Sequence, residues 1–471
     1  MKPPRPRSAF SALFLTFAAT SLTAQERDRA RLIAAIDSIS QAPIATGRAA
    51  GMSVAVVHGS DTIRLKGYGH ADLELDVATP DGAVYEIGSV TKQFTAAAVY
   101  QLVEQGKLSL DDDITRFLPD YPTRGHRIPI RRLLNHTSGI KGYTEIPAFW
   151  TTMAMRALPR DSLVALFASQ PFDFPPNEGM IYNNSAYFLL GLIIEKASGQ
   201  PYERYVEERL FKPAGMSDSR YCSDNAIVKR RAKGYEFARP TPADSAALRR
   251  ASYLVHVWPY AAGSLCSTAR DLVAWTRALH GTGRGGRVLR PESYRQFVTP
   301  DTLNNGARLR YAHGLAMTET GGRRMISHGG GIYGFVSELR YYPDQDLTIA
   351  VLVNTAGGAS PTRIADAIAD LVLGKPAEAP PAATFGGDLR PFMGSYQGAA
   401  RGRELAVTVS LDAGGLSLKL PQGEPRRLAY VESLTFTSGT TRYHFVRTGA
   451  DVTELHVDEV AGYYVLRRAK D

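Results

Sequence analysis

The sequence predicts an α/β protein of the α+β type. An antiparallel sheet is flanked by helices, carries an all-helical insert and is followed by a small all-β domain. Two hairpin patterns support this fold class, "GMSVAVVHGSDTIRLKGYG" (51–69) and "FVSELRYYPDQDLTIAVLVNT" (335–355), each with two strand-like runs around a polar turn. Helical patterns fill the interval between them, and short alternating runs follow residue 387. One sheet with helices inserted in its middle is the simplest arrangement.

The chain begins with the features of a secretory signal peptide (1–24). Three basic residues among the first seven precede an apolar run over 9–19, and small residues follow near Ala24. The run is shorter than the roughly 20 residues needed to cross a membrane. We therefore expect a periplasmic or secreted protein with no transmembrane segment in the mature chain. An uncleaved anchor, or another kind of targeting peptide on a cytosolic or organellar protein, is the alternative.

Several helices are predicted in the first part of the chain. The earliest, "RDRARLIAAIDSISQ" (27–41), has its apolar residues at helical spacing on one side. Further helical patterns cover 89–105, 185–198 and 268–280, and each of them is followed by a glycine. Because glycine readily adopts the left-handed conformation that ends helices, these glycines indicate helix termini.

A segment rich in Pro and Ala, "GKPAEAPPAATFGG" (374–387), predicts a linker. It separates a first domain (25–373) from a small all-β domain (388–471), whose short alternating runs are typical of a barrel or a sandwich. The β-domain offers no catalytic cluster of its own, since His444 and His456 are isolated within strand patterns.

Charge distribution and cysteine content argue against some classes of function. The formal net charge is +9, but the basic residues are scattered, so the sequence gives little support for nucleic-acid binding. Cys222 and Cys266 are the two cysteines, and they form either a disulfide or two buried thiols. No paired Cys or His spacing surrounds them, so we expect neither a metal site nor a cofactor.

Ser89 and Lys92 are the first candidate catalytic pair, in the stretch "EIGSVTKQF" (86–94). Positions i and i+3 of a helix lie on one face, so the amine can accept or relay the hydroxyl proton. A Ser-x-x-Lys pattern alone is more often a solvated helix face. Here an apolar run follows immediately, and a partly desolvated lysine loses proton affinity, which makes a neutral amine available.

Two further short patterns carry polar groups beside apolar elements. Tyr182 and Asn184 precede an apolar helix, and their spacing allows both side chains to reach one cleft. His328 opens the run "HGGG", and Gly330 belongs to it. Glycines there allow a strand backbone to approach a ligand closely with free amide hydrogens.

In this order and spacing, the three patterns resemble the serine β-lactamase and penicillin-binding protein family, in its class C-like branch of D-aminopeptidases, DD-carboxypeptidases and esterases. The family's Ser-x-x-Lys, Tyr-x-Asn and Lys/His-x-Gly motifs correspond here to Ser89-Val-Thr-Lys92, Tyr182-Asn-Asn184 and His328-Gly-Gly330. Supporting stretches include "RRLLNHTSGI", "LFKPAGMSDS", "AAGSLCSTARDLVAW" and "YAHGLAM". The resemblance covers about residues 30 to 372.

The resemblance implies acyl transfer. Ser89 would be the acylated nucleophile, and Lys92 and Tyr182 would share the proton transfers, with the identity of the base left open. The resemblance further implies substrate-binding roles for Asn184, His328 and Gly330, and an oxyanion hole made by the backbone N–H groups of Ser89 and Gly331. In the "NHTSG" stretch, His136 is expected to fix a loop.

One departure affects the expected substrate. Dedicated class C β-lactamases carry lysine where this chain has His328, and a largely neutral histidine holds a substrate carboxylate less firmly. We therefore expect an exported serine hydrolase of small amides or esters, with D-amino-acid peptides as one option, rather than a dedicated β-lactamase. A ligand-binding module without turnover is the other alternative. The absence of Gly-x-Ser-x-Gly and His-Glu-x-x-His argues against an α/β-hydrolase and a metallohydrolase. The oligomeric state is left open.

Overall fold

The computed structural model describes residues 12–238, 248–283, 286–377, 383–412 and 414–469. Residues 1–11 of the predicted signal peptide and residues 378–382 of the predicted linker lie outside these ranges. The helices are α1 (Ala12–Ala45), α2 (Thr91–Glu104), α3 (Ile130–Leu134), α4 (Arg160–Ala168), α5 (Asn184–Ser198), α6 (Tyr202–Val206), α7 (Lys212–Ala214), α8 (Tyr260–Gly263), α9 (Ala269–His280), α10 (Pro291–Phe297) and α11 (Pro361–Leu373).

The strands before the β-domain are β1 (Gly51–His58), β2 (Asp61–Asp72), β3 (Val77–Ala78), β4 (Tyr85–Glu86), β5 (Met180–Ile181), β6 (Arg220–Tyr221), β7 (Tyr235–Phe237), β8 (Leu248–Arg250), β9 (Leu265–Ser267), β10 (Ala316–Thr320), β11 (Arg323–Ile332), β12 (Phe335–Tyr342), β13 (Leu347–Val353) and β14 (Thr355–Ala356). Those of the β-domain are β15 (Gly394–Ala400), β16 (Arg403–Asp412), β17 (Gly415–Lys419), β18 (Arg426–Arg427), β19 (Ala429–Glu432), β20 (Thr435–Ser438), β21 (Thr441–Thr448), β22 (Asp451–Glu459) and β23 (Gly462–Arg468).

The central sheet joins the two predicted hairpins. Its strand order is β10-β11-β12-β13-β1-β2-β3, and β1 pairs with β13 in antiparallel register from Met52↔Val353 to His58↔Leu347. All of β13 and nearly all of β1 are buried, because helices cover both faces of the sheet. On one face α1 and α11 pack through Ile36 and Ile368. The predicted sheet with helices inserted in its middle is confirmed.

The helices between the hairpins form the layer that contains Ser89 and Lys92. Helix α2 is buried through almost its whole length and packs on α5 and α8. The predicted helix over 185–198 is observed as α5, and Gly199 ends it in the left-handed conformation at φ 76°. The predicted helices over 89–105 and 268–280 are observed as α2 and α9. A 3₁₀ turn at Gly88–Val90 leads directly into α2.

The β-domain is a barrel-like antiparallel sheet with strand order β18-β17-β16-β15-β23-β22-β21-β20-β19. Each predicted run after residue 387 falls on one of these strands. Its last strand, β23, also pairs with β5 of the first domain, with Gly462 opposite Ile181 and Tyr463 opposite Met180. The sheet of the β-domain therefore continues onto the segment that precedes Tyr182.

Within the described part of the chain, no helix combines the length and the apolar character that crossing a membrane requires.

Cys222 and Cys266 form a disulfide, so the pairing that the sequence left open is settled in favour of the bridge. Cys266 lies in β9 and Cys222 directly follows β6, and the two strands are paired in a small sheet with β4. Both sulfurs are fully buried in a cluster with Val84 and Val228. The bridge thus fixes strands next to the segment that leads to Ser89.

We predict that reduction destabilises the first domain. The bridge closes a loop between residues 44 apart in sequence, and loop-closure entropy gives an upper limit of about 4 kcal/mol for a loop of this length. Denaturant unfolding of the oxidised protein and of the Cys222→Ser/Cys266→Ser variant measures this difference. Thiol titration of the unfolded, unreduced protein is the control, and two free thiols would contradict the bridge.

Candidate active site

Ser89 lies where two backbone segments approach unusually closely. Gly88 has φ 50°, and a side chain there would meet the backbone of Gly331 on β11. A side chain at Gly330 would likewise collide with the carbonyl oxygen of Ile87. Ser337 on β12 donates a hydrogen bond to that carbonyl oxygen at 2.9 Å. Glycines at these positions are therefore required for the segment that carries Ser89 to lie against the glycine-rich strand.

The Lys92 amine lies at the centre of the site and is fully buried. Its Nζ is 3.2 Å from Ser89 Oγ, 2.8 Å from Asn184 Oδ1 and 2.9 Å from the carbonyl oxygen of Ala262 on α8. Burial holds the pKa of Lys92 well below its usual value, and the positive charge of Arg401 lowers it further. The structure thus brings Ser89, Lys92 and Asn184 together.

Tyr182 follows β5 and is buried against the same amine. The centroid of its ring is 4.7 Å from Lys92 Nζ. Burial raises the pKa of the phenol well above its usual value, while the nearby Ser89 hydroxyl and Arg401 lower it in part. The ring packs with Met180, Tyr311 and Tyr463 in a small apolar cluster, to which the β-domain contributes Tyr463.

His136 holds the loop that carries Tyr182 in place. This histidine has φ 63°, its Nδ1 accepts the backbone N–H of Asn183 at 3.1 Å, and its ring centroid lies 4.4 Å from that of Tyr182. Asn183 itself caps α5, because its Oδ1 accepts from the backbone N–H of Ala186. These contacts agree with the loop-fixing role expected for His136.

Asn184 is the first residue of α5, and its side-chain amide makes hydrogen bonds to two partners. Its Oδ1 accepts from Lys92, and its Nδ2 donates to Thr144 Oγ1 at 3.2 Å. Thr144 lies in the loop Tyr143–Glu145, which borders the cleft. The amide is therefore fixed in one orientation between Lys92 and the cleft wall.

His328 is buried on β11 and makes two hydrogen bonds. Its Nδ1 lies 2.6 Å from the carbonyl oxygen of Gly329, so Nδ1 carries the hydrogen and Nε2 accepts from the Tyr311 hydroxyl at 2.9 Å. Burial and the nearby Lys92 amine lower the pKa of His328 to about 3. His328 is neutral at physiological pH and supplies no charge to the cleft.

A cavity of about 260 Å³ opens beside Ser89. Asn184 and Gly331 also line it, and a side chain at Gly331 would meet open space, so this strand exposes backbone to the cavity. The remaining wall is largely apolar and aromatic. It is formed by Gly88, Tyr143, Thr144, Trp150, Leu254, Pro259, Ala262, Gly263, Ile332 and Tyr333.

Two groups at the site have no signal in the sequence. The carbonyl oxygen of Ala262 is a backbone group, and nothing in the surrounding sequence indicates that it accepts a hydrogen bond from a lysine. Arg401 belongs to the β-domain, yet its guanidinium carbon lies 5.0 Å from the centroid of the Tyr182 ring. An arginine before a glycine in a hairpin turn carries no signal of such a contact.

The chain is similar to proteins of a known family. The Beta-lactamase family profile matches residues 33–373. Penicillin-binding protein 4* of Bacillus subtilis (strain 168) is 29% identical over 312 residues, which cover 64% of this chain and 67% of that relative. Among solved structures, the D-amino acid amidase of Ochrobactrum anthropi SV3 complexed with D-phenylalanine is 26% identical. It has a TM-score of 0.62 and covers 73% of this chain and 99% of its own.

A third similarity extends further along the chain. The octameric penicillin-binding protein homologue of Pyrococcus abyssi covers 92% of this chain and 99% of its own, with a TM-score of 0.62 and 23% identity. At that identity the similarity shows the fold alone. The family match over most of the chain confirms the predicted fold class and the prediction of a β-lactamase-related serine hydrolase, and this chain belongs to the β-lactamase family.

Proposed function

We propose that this protein hydrolyses small amides or esters through an acyl-enzyme on Ser89, with amides and short peptides of D-amino acids as the substrate class. The observation that carries the proposal is the set of three partners around the buried Lys92 amine. The proposal also gives Tyr182 and Asn184 the roles that the family resemblance implies.

The partners of Lys92 support its role as the base. A neutral amine has two hydrogens and one lone pair. The oxygens of Asn184 and Ala262 can only accept, so they occupy the two hydrogens. The lone pair is then left for the third partner, the hydrogen of Ser89 Oγ. In this arrangement the amine takes the proton as Oγ attacks the substrate carbonyl.

Tyr182 is suited to the opposite transfer. Its raised pKa keeps the phenol protonated, so it can donate a hydrogen but not act as a resting base. When the tetrahedral adduct collapses, the bond to the leaving group breaks and Tyr182 gives its proton to that group. The protonated Lys92 amine then returns a proton to the tyrosinate. Water releases the acyl group by the reverse transfers, and both residues regain their starting states.

Charge on the tetrahedral adduct requires hydrogen-bond donors. The backbone N–H groups of Ser89 and Gly331 are the proposed donors, and the close approach of Gly88 to Gly331 supports this assignment. Gly330 acts indirectly, since it lets the strand approach the nucleophile. Asn184 would orient the substrate amide as well as Lys92.

The cavity supports the substrate class. Its aromatic and aliphatic wall fits an apolar side chain on the acyl group, as in phenylalanine. A related enzyme of known structure is a D-amino acid amidase complexed with D-phenylalanine. The neutral His328 matches a substrate whose acyl part carries no carboxylate, as expected for a hydrolase that is not a dedicated β-lactamase.

We also propose that the protein is exported. The basic and apolar N-terminal segment predicts a cleavable signal peptide over 1–24. The disulfide between Cys222 and Cys266 supports an oxidising compartment such as the periplasm or the exterior.

We predict that a fluorophosphonate labels Ser89 alone. The attack needs the same proton transfer to Lys92 as the proposed reaction, so the mature protein should gain one adduct mass. Intact-mass analysis and peptide mapping measure it. The Ser89→Ala variant is the matched control and should gain none. A folded protein that gains no adduct would contradict the proposal and favour a ligand-binding module without turnover.

We predict that kcat/KM rises with pH along an acid limb set by Lys92. Because the pKa of Lys92 lies well below its usual value, the neutral amine persists to pH values far below 10, and activity falls only as pH drops through that lowered pKa. Rates with an N-acylated amide substrate, which does not itself titrate, measure the limb. Circular dichroism at each pH controls for unfolding. A rate that falls as pH rises from 5 to 8 would contradict Lys92 as the base.

A further inference from the structure

A cation that belongs to none of the three motifs lies against Tyr182 and close enough to Lys92 to lower the pKa of its amine. Arg401 occupies the two-residue turn between β15 and β16 of the β-domain, where Ala400 pairs with Arg403. Its guanidinium carbon lies 5.0 Å from the centroid of the Tyr182 ring. Its Nε donates to Glu145 Oε1 at 3.3 Å, at the end of the loop that lines the cavity. The tip of a β-domain hairpin thus reaches the catalytic centre.

This hairpin is held in place by the continuous sheet. Strand β15 pairs with β23, and β23 pairs with β5, the strand that leads into Tyr182. At the tip, Gly402 has φ 69°, and a side chain there would press on Glu145 at 3.1 Å. The position of Arg401 is therefore fixed relative to Tyr182 by backbone hydrogen bonds and a close contact.

The pairing of Arg401 with Glu145 leaves donors unused. The contact uses one N–H of Arg401 at a long distance, and the terminal nitrogens of Arg401 have no partner of normal geometry within the described part of the chain. About half of the Arg401 side chain is exposed, whereas 7% of the Glu145 side chain is. A guanidinium with free donors at the edge of a cleft can bind a carboxylate with two parallel hydrogen bonds.

Within the described residues, the basic side chains packed around Ser89 do not offer an exposed positive charge. Lys92 and His328 are buried and have lowered pKa values, as does His136. Lys141 is paired with Asp173 at 2.7 Å. A carboxylate on a bound substrate would therefore find its strongest attraction at Arg401.

We propose that Arg401 binds a carboxylate on the substrate next to the scissile bond, so that the enzyme prefers short peptides with a free carboxylate over the matched neutral amides. This inference rests on the proposed hydrolase function and adds a specificity residue to it. The apolar cavity takes the acyl side chain, and Arg401 takes the acidic group of the leaving part.

The test compares kcat/KM for D-Phe-D-Ala, D-Phe-D-Ala-amide and D-Phe-D-Glu-amide. The wild-type protein should favour the free acid, and Arg401→Gln should lose about 10- to 100-fold on it, as expected for a charged hydrogen-bonded pair, with less than about 3-fold loss on the neutral amide. The glutamyl amide tells whether a side-chain carboxylate can replace the terminal one. Arg401→Lys should recover part of the loss.

Arg403→Gln is the matched control, because Arg403 is exposed on the same hairpin just past the turn. It should leave the preference unchanged. Rates are compared on the pH plateau of each variant, since loss of the Arg401 charge should also shift the acid limb of Lys92 to higher pH for every substrate. Equal losses on acid and amide would overturn carboxylate binding and leave Arg401 a positioning residue.

Binding to the Ser89→Ala protein separates this inference from the proposed function. Calorimetric titration with the acid and the neutral amide needs no turnover. If the wild-type protein cleaves neither peptide, the proposed substrate class fails, but tighter binding of the acid that disappears with Arg401→Gln would still support Arg401. Equal binding of the two ligands, or binding of neither, would overturn the inference.

Discussion

The hydrogen bonds of the buried Lys92 amine are the interactions on which the candidate active site depends. Removing an ammonium from water is costly unless its charge is compensated, so the structure favours the neutral form. That form needs hydrogen-bond partners in a fixed geometry, and they come from the start of α5 and from α8. Three helices must therefore meet around one nitrogen atom.

Small residues make that meeting possible. Helix α2 presents Ala96, Ala97 and Ala98 within the core, all fully buried. On α5, a side chain at Gly191 would collide with Tyr260 and press on Ala261 of α8. The glycine lets α5 approach α8 closely at this point, and the Lys92 side chain reaches the backbone carbonyl of Ala262 on α8 directly. The close packing of these helices and the hydrogen bonding of the Lys92 amine therefore depend on the same small residues.

The sequence predicted those parts of the site that depend on local geometry. Ser89 and Lys92 share a helix face by their spacing alone, and the glycines around Gly330 predict a strand that permits close approach. The paired hairpins predicted the sheet, since strand alternation and turn residues are local signals. Gly199 predicted the end of α5 for the same reason.

What the sequence did not predict depends on contacts between distant segments. The acceptor on Ala262 is a backbone atom that any residue would supply. His328 is hydrogen-bonded to Tyr311 and Gly329. These partners were not apparent, because a strand pattern does not indicate which side chains contact each other. The cysteine pairing was left open, since two cysteines in a large domain can form a bridge or remain two buried thiols. Arg401 lies in an ordinary turn whose neighbours across the cleft are set by the pairing of β23 with β5.

The pairing of β23 with β5 makes the β-domain part of the surroundings of Tyr182. A domain connected only by a flexible linker could not hold the Arg401 side chain within a few ångströms of the Tyr182 ring. Here the backbone of the β-domain is hydrogen-bonded to the strand before Tyr182, and Tyr463 packs in the same cluster as that ring. Hairpin turns tolerate sequence change far better than buried helices do. A turn fixed at the edge of the cleft can therefore alter the charge offered to a substrate while the Lys92 network stays the same, which separates specificity from catalysis within one fold.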